Sequence, residues 1–130
     1  MIRYIISILR EKMKDQLGSL CSFLCIVHCS LTPLFLIFGL SIVDIAFLEN
    51  EWIHRLIAIP MVLLMLLSIP VSIKSHGKYQ PFLIGGIGLL VLFWSLLAAE
   101  EIEAYLTVVA GLLLMTAHVL NRKLLLGQFA

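Results

Sequence analysis

Three cysteines and one histidine fall within nine consecutive positions: Cys21, Cys25, His28 and Cys29, in the order C-x3-C-x2-H-C. No other cysteine occurs in the chain. Thiolates are soft ligands and imidazole is a versatile co-ligand, so the set suits a thiophilic metal ion. A thiol in apolar surroundings is inert by itself, but a metal displaces its proton. Such a site is silent when empty and reactive toward a soft ion. At about 100° per helical residue the four side chains sit at roughly 0°, 40°, −20° and 80°. They share one face and rise about 12 Å along the axis. Two sulfurs one turn apart, Cys21 and Cys25 or Cys25 and Cys29, can pass an ion along a helix.

The alternatives are definite. A single cysteine in an apolar helix usually just packs. A disulfide within one helix is awkward, because the two side-chain vectors run parallel. Thiol redox catalysis usually uses a C-x-x-C pair, which this chain lacks, so the expectation is that it is not an enzyme. What favours a metal site is the clustering of all the thiols on one face with a histidine, since an ionisable residue inside a membrane span is rare and usually functional.

The elements that position this face follow from composition. Of 130 residues, 62% are hydrophobic and 13% charged, with a mean hydropathy of +1.10. A small water-soluble domain has a large surface to cover with polar groups, and this chain carries too few. Net charge is +1, which gives no sign of a nucleic-acid partner. The charges are gathered in clusters that leave uncharged runs at 18–43, 56–73, 79–99 and 104–121. About 20 apolar residues cross a bilayer as a helix. The runs lack the alternation of a transmembrane barrel. The sequence therefore predicts an all-α membrane protein, a four-transmembrane-helix bundle with spans at about 17–43, 52–73, 80–99 and 104–122. Residues 1–15 read as a cytoplasmic amphipathic segment, 16–123 as the membrane domain, and 124–130 as a short tail. The apolar stretch 4–9 is too short for a secretory signal and lacks a cleavage pattern.

Arg3, Arg10, Lys12, Lys14, Lys74, Lys78, Arg122 and Lys123 all fall on one side of this arrangement, with Arg55 the exception. Basic residues in short loops stay cytoplasmic, so both termini are expected inside. The acidic Asp44, Glu49, Glu51, Glu100, Glu101 and Glu103 fall on the other side.

Secondary features complete the reading. Pro33, Pro60 and Pro70 lie inside spans, and Pro33 leaves the Cys29 carbonyl without its helical donor. His54, His118 and Pro33 are candidate contributors to the ion pathway, His118 at about the depth of Cys21 and Cys25. His76 reads as a solvated loop residue. Trp52, Tyr79 and Tyr105 read as interfacial anchors, and the deeper Trp94 as packing. Pro81 fits the first turn of a helix. Gly85, Gly86 and Gly88 give the third span a small-residue surface for close packing. The five methionines show no spacing suited to a copper relay.

The stretch SLCSFLCIVHC at 19–29, followed by Thr32-Pro33, resembles the MerC family of mercury-resistance membrane proteins. The segments Trp52-Ile53-His54-Arg55 and Ala117-His118-Val119-Leu120-Asn121-Arg122 are similar to it as well, so the likeness covers nearly the whole chain. The resemblance implies a multi-pass protein of the bacterial inner membrane. It implies binding and uptake of Hg(II), the first candidate ion, with delivery to a cytoplasmic thiol acceptor and no permanently bound cofactor. The ligands would come from Cys21, Cys25 and Cys29. Well-studied members also carry cysteines near the cytoplasmic C-terminus, which the run 124–130 lacks. Two other functions stand beside this one: a membrane thiol oxidoreductase, and a metal-sensing or structural subunit that binds without transport. A homo-oligomer is compatible with a bundle of this size.

Overall fold

A computed structural model describes residues 1–38 and 51–127, apart from the side chains of 32, 33, 35–37, 51, 54, 100 and 101. The described residues form four helices: α1 (Ile2–Phe38), α2 (Glu51–His76), α3 (Gln80–Ser95) and α4 (Glu100–Gly127). The chain is all-α and membrane-associated. Among the described residues, two helices, over Arg55–His76 and Ile102–Gly127, are long and apolar enough to cross a bilayer, and Gln80–Ser95 is a shorter apolar helix. The expected stretch 39–43 of the first span, and Asp44 and Glu49, lie outside the described residues.

At 1.5 Å per residue α1 is about 55 Å long, well beyond a hydrocarbon core of about 30 Å. The expected N-terminal segment and the first expected span thus lie on one uninterrupted helix. The helix also continues through Pro33. α3 stops at Ser95 and not near 99. Its last turn tightens there: Leu97 and Ala98 donate to the Trp94 and Ser95 carbonyls, and the Ser95 hydroxyl takes the Leu92 carbonyl. Such i to i−3 bonds end a helix by satisfying its final carbonyls. Pro81 sits in the first turn of α3, where its missing N–H is harmless.

α1 and α4 are packed antiparallel, and their contacts descend α4 as they climb α1. Asp15 meets His118, Ser22 and Ile26 meet Gly111, and Cys29 lies within electrostatic reach of Glu103. α3 and α4 pair in the same antiparallel way. A Cβ on Gly85 would collide with Met65 and press on Ala117, and one on Gly88 would come 3.1 Å from Leu113 and Leu114. Glycine at those two positions lets the backbones approach. Gly86 has nothing within 4 Å and takes no part.

The core joins Cys25 and Cys29 of α1 to Ala58, Met61, Met65 and Ile69 of α2, Leu92 of α3 and Ala110, Leu114 and Ala117 of α4. Leucine, isoleucine and phenylalanine side chains cover the outside, as a lipid-facing surface requires. Trp52, Tyr79 and Tyr105 are all exposed near helix ends. Trp94 is 69% exposed, so it faces outward and does not pack within the chain.

Candidate functional site: a buried thiol pair above a polar cluster

α1 presents its thiols unequally. Cys25 and Cys29 are 4% and 2% exposed and belong to the core, whereas Cys21 is half-buried at its edge. The Cys25 and Cys29 side chains lie one helical turn apart on the same buried face, close enough to interact. Glu103 on α4 lies within electrostatic reach of Cys29. All three cysteines are free thiols. His28 is half-buried beside them on the same helix.

Among the described residues, no group of three or more His, Cys, Asp or Glu side chains is arranged to hold a metal ion. What the fold brings together is a two-thiol pair. His54 and Pro33 have their side chains outside the description. A groove of about 580 Å³ lies on the outer flank of α1 and α4, lined by Leu20, Phe23, Met115, Val119, Arg122 and others, away from the Cys25–Cys29 pair.

The second grouping lies toward the start of α1. Asp15 is completely buried although it ends a run of charged residues. Three donors from two other helices close on its carboxylate. The Ser68 hydroxyl of α2 reaches Oδ1 at 2.6 Å, His118 Nδ1 of α4 reaches Oδ1 at 2.9 Å, and Asn121 Nδ2 reaches Oδ2 at 2.7 Å. Asn121 Nδ2 also donates to Ser72 Oγ at 3.0 Å, and the Ser72 hydroxyl donates to the Ser68 carbonyl. His76, the last residue of α2, holds Asn121 Oδ1 at 2.8 Å and accepts the Lys78 backbone N–H at 3.0 Å. His76 is therefore a helix-end hydrogen-bonding residue and not a solvated loop residue. Asp15 is likewise packed inside the bundle.

The orientation of this cluster follows from one fixed donor. A backbone N–H can only donate, so His76 Nδ1 is the accepting nitrogen and Nε2 carries the ring proton. Asn121 must then accept at Oδ1, which turns its amide N–H groups toward Asp15 and Ser72. Hydroxyl, amide and imidazole groups are all aimed at the Asp15 carboxyl oxygens, which accept from each of them. His118 accordingly has its proton on Nδ1. Sequence reasoning passed over Asp15, Ser68, Ser72 and Asn121. The signal was present in Ser68/Ser72 and His118/Asn121, polar residues three or four apart on otherwise apolar helices, which places each pair on one face.

A helical bundle of this composition, with spanning-length apolar helices and thiols buried in its core, is a membrane protein. The family model described as MerC mercury resistance protein matches residues 15–123, and the chain belongs to that family. It is accordingly not an enzyme. No curated protein and no solved structure matches the chain.

Proposed function

We propose that the protein binds a thiophilic metal ion, Hg(II) first among candidates, on the Cys25–Cys29 pair and carries it across the bacterial inner membrane. The observation that carries this reading is the contact between two free thiols buried in the core of a MerC-family chain. A soft ion that accepts two thiolates in a line needs a pair of sulfurs and no third or fourth ligand, so a two-thiol site suits Hg(II) better than Zn(II), which takes four ligands. His28 is the adjacent nitrogen donor, and Cys21, one turn nearer the start of α1, is the next sulfur on the route.

Four spans with both termini cytoplasmic agree with the basic clusters and with the antiparallel packing of α1 on α4. Residues 16–123 form the transporting domain in this reading. Glu103 and the outer ends of α1 and α4 then form the entrance, Cys29 is the first thiol met, and Cys21 the last before the cytoplasmic side. His54 and the Cys29 carbonyl left bare by Pro33 sit near the entrance. A cytoplasmic thiol receives the ion.

The test is uptake of mercuric ion by cells expressing wild type or the Cys25→Ser/Cys29→Ser double variant at equal membrane levels. Uptake falling to the background of cells without the protein supports the reading. Equal uptake overturns it. Tight binding by purified protein with no uptake by wild-type cells identifies a non-transporting binder instead.

A further inference from the structure

His118 is fully buried, its Nδ1 is committed to Asp15, and its Nε2 has no hydrogen-bond partner. In the neutral form of the ring this nitrogen is a bare lone pair inside the bundle. An unmade hydrogen bond in such a place is unfavourable by about 1–3 kcal/mol, so a buried orphan nitrogen calls for a role. The ring lies directly over Gly18 of α1, where any Cβ would collide with it. That puts the orphan nitrogen about one helical turn, roughly 4.5 Å of rise, short of Cys21.

We propose that the Asp15–His118 pair is a proton-binding site, and that it takes up a proton released when the α1 thiols bind an ion. This rests on the thiols being the ion ligands. Each thiol that becomes a thiolate keeps the electron pair of its S–H bond, gives that pair to the metal, and releases a proton. One of the two protons passes by way of the Cys21 thiol, which lies on α1 between the Cys25–Cys29 pair and Gly18, to the lone pair of His118 Nε2, giving an imidazolium, and the other leaves to water at the cytoplasmic end. The fixed charge of Asp15, braced by Ser68 and Asn121, stabilises the imidazolium. Imidazole is the side chain whose unperturbed titration, at about pH 6.5, suits such exchange.

The groups facing the pair are consistent with this use. From α1 come Glu11 and Lys14, paired with each other at 2.7 Å. From α2 comes His76, linked through Asn121 to Asp15. From α4 comes Arg122 next to Asn121, half-buried with its Nε unpaired. The residues 81–95 of α3 contain no titratable side chain. The chain of contacts His118–Asp15–Asn121–His76 ends at the exposed Gly77–Lys78 turn and fixes the orientation of the pair from that end of the bundle.

Two readouts on purified protein in lipid nanodiscs test the proposal. The first is ¹⁵N NMR of the histidine rings without metal between about pH 5 and about pH 9. His28→Gln, His54→Gln and His76→Gln variants assign the signals while leaving the Asp15–His118 contact in place. The His118 Nε2 resonance is expected to titrate reversibly. A ring that keeps one neutral tautomer across the range overturns the site. The second is the number of protons released to a pH dye per Hg(II) bound, at a pH where the NMR shows the ring neutral. His118→Gln, whose amide still reaches Asp15, is expected to release about one more proton per ion than wild type. Equal counts overturn the coupling. If Hg(II) does not bind wild type at all, the proposed function fails, while the NMR still decides the proton site.

Discussion

His118 donates its Nδ1–H to Asp15 Oδ1 at 2.9 Å across the α1–α4 interface, joining residues 103 positions apart. The contact fixes how far α4 is shifted along α1. With Asp15 opposite His118, Gly111 falls against Ser22 and Ile26, and Glu103 falls near Cys29. A slip of one turn would leave a buried carboxylate facing apolar side chains, which is strongly unfavourable. The polar cluster at one end thus sets the position of the thiols relative to α4 at the other.

Removing the carboxylate should test this directly. Asp15→Ala leaves the Ser68, His118 and Asn121 donors unpaired in a buried site, and a loss of about 3–5 kcal/mol is expected. Asp15→Asn keeps one acceptor oxygen and should lose less. Equilibrium unfolding in mixed micelles gives both values. A loss below about 1 kcal/mol for Asp15→Ala would show that the cluster does not hold the helices in register.

Two glycines should respond in opposite directions. Gly18→Ala drives a methyl into the His118 ring, so α1 and α4 must separate or the ring must turn, at a loss of about 1–3 kcal/mol. Gly86→Ala meets open space on the outside of α3 and should gain about 0.5–1 kcal/mol from helix propensity. Thermal melts of the two variants beside wild type read the contrast, and similar shifts in both would contradict the packing described.

The thiols should differ in reactivity. Cys21 is half-buried, while Cys25 and Cys29 are in the core. A membrane-permeant maleimide is expected to label Cys21 first, as mass spectrometry of timed digests would reveal. Prior addition of one equivalent of Hg(II) should protect Cys25 and Cys29 more than Cys21. Protection of Cys21 alone would move the binding site off the buried pair.

Losing the helix-end contact should have a smaller effect. His76→Ala strips Asn121 Oδ1 of its donor near the surface, where water can replace it, so a loss of about 1 kcal/mol is expected. A loss as large as that of Asp15→Ala, measured in the same unfolding series, would mean that the amide orientation depends wholly on His76.

The features legible in the sequence were those with local periodicity. The uncharged runs mark α2, α3 and α4 and most of α1, and the helical spacing of the cysteines puts Cys25 and Cys29 on a common buried face. Asp15 was not legible in this way. It closes a charged run, where a carboxylate reads as solvated, and its partners Ser68, His118 and Asn121 lie 53, 103 and 106 positions away. Their convergence depends on three helices packing together, which no local pattern encodes. His76 looked like a loop residue because the uncharged run ends at 73, yet α2 continues to it. Trp94 looked like a packing residue by depth alone, and the packed face of α3 proved to be Gly85, Gly88 and Leu92 instead.

In the function proposed, the buried pair Cys25–Cys29 is where a thiophilic ion is held. X-ray absorption at the mercury edge on purified protein loaded with one equivalent of Hg(II) tests it most directly, with Cys25→Ser/Cys29→Ser in parallel. One ion per chain bound by two sulfurs is expected in wild type, with loss of that signal in the double variant. Two-sulfur coordination persisting in the double variant, or wild-type coordination without sulfur, would contradict it.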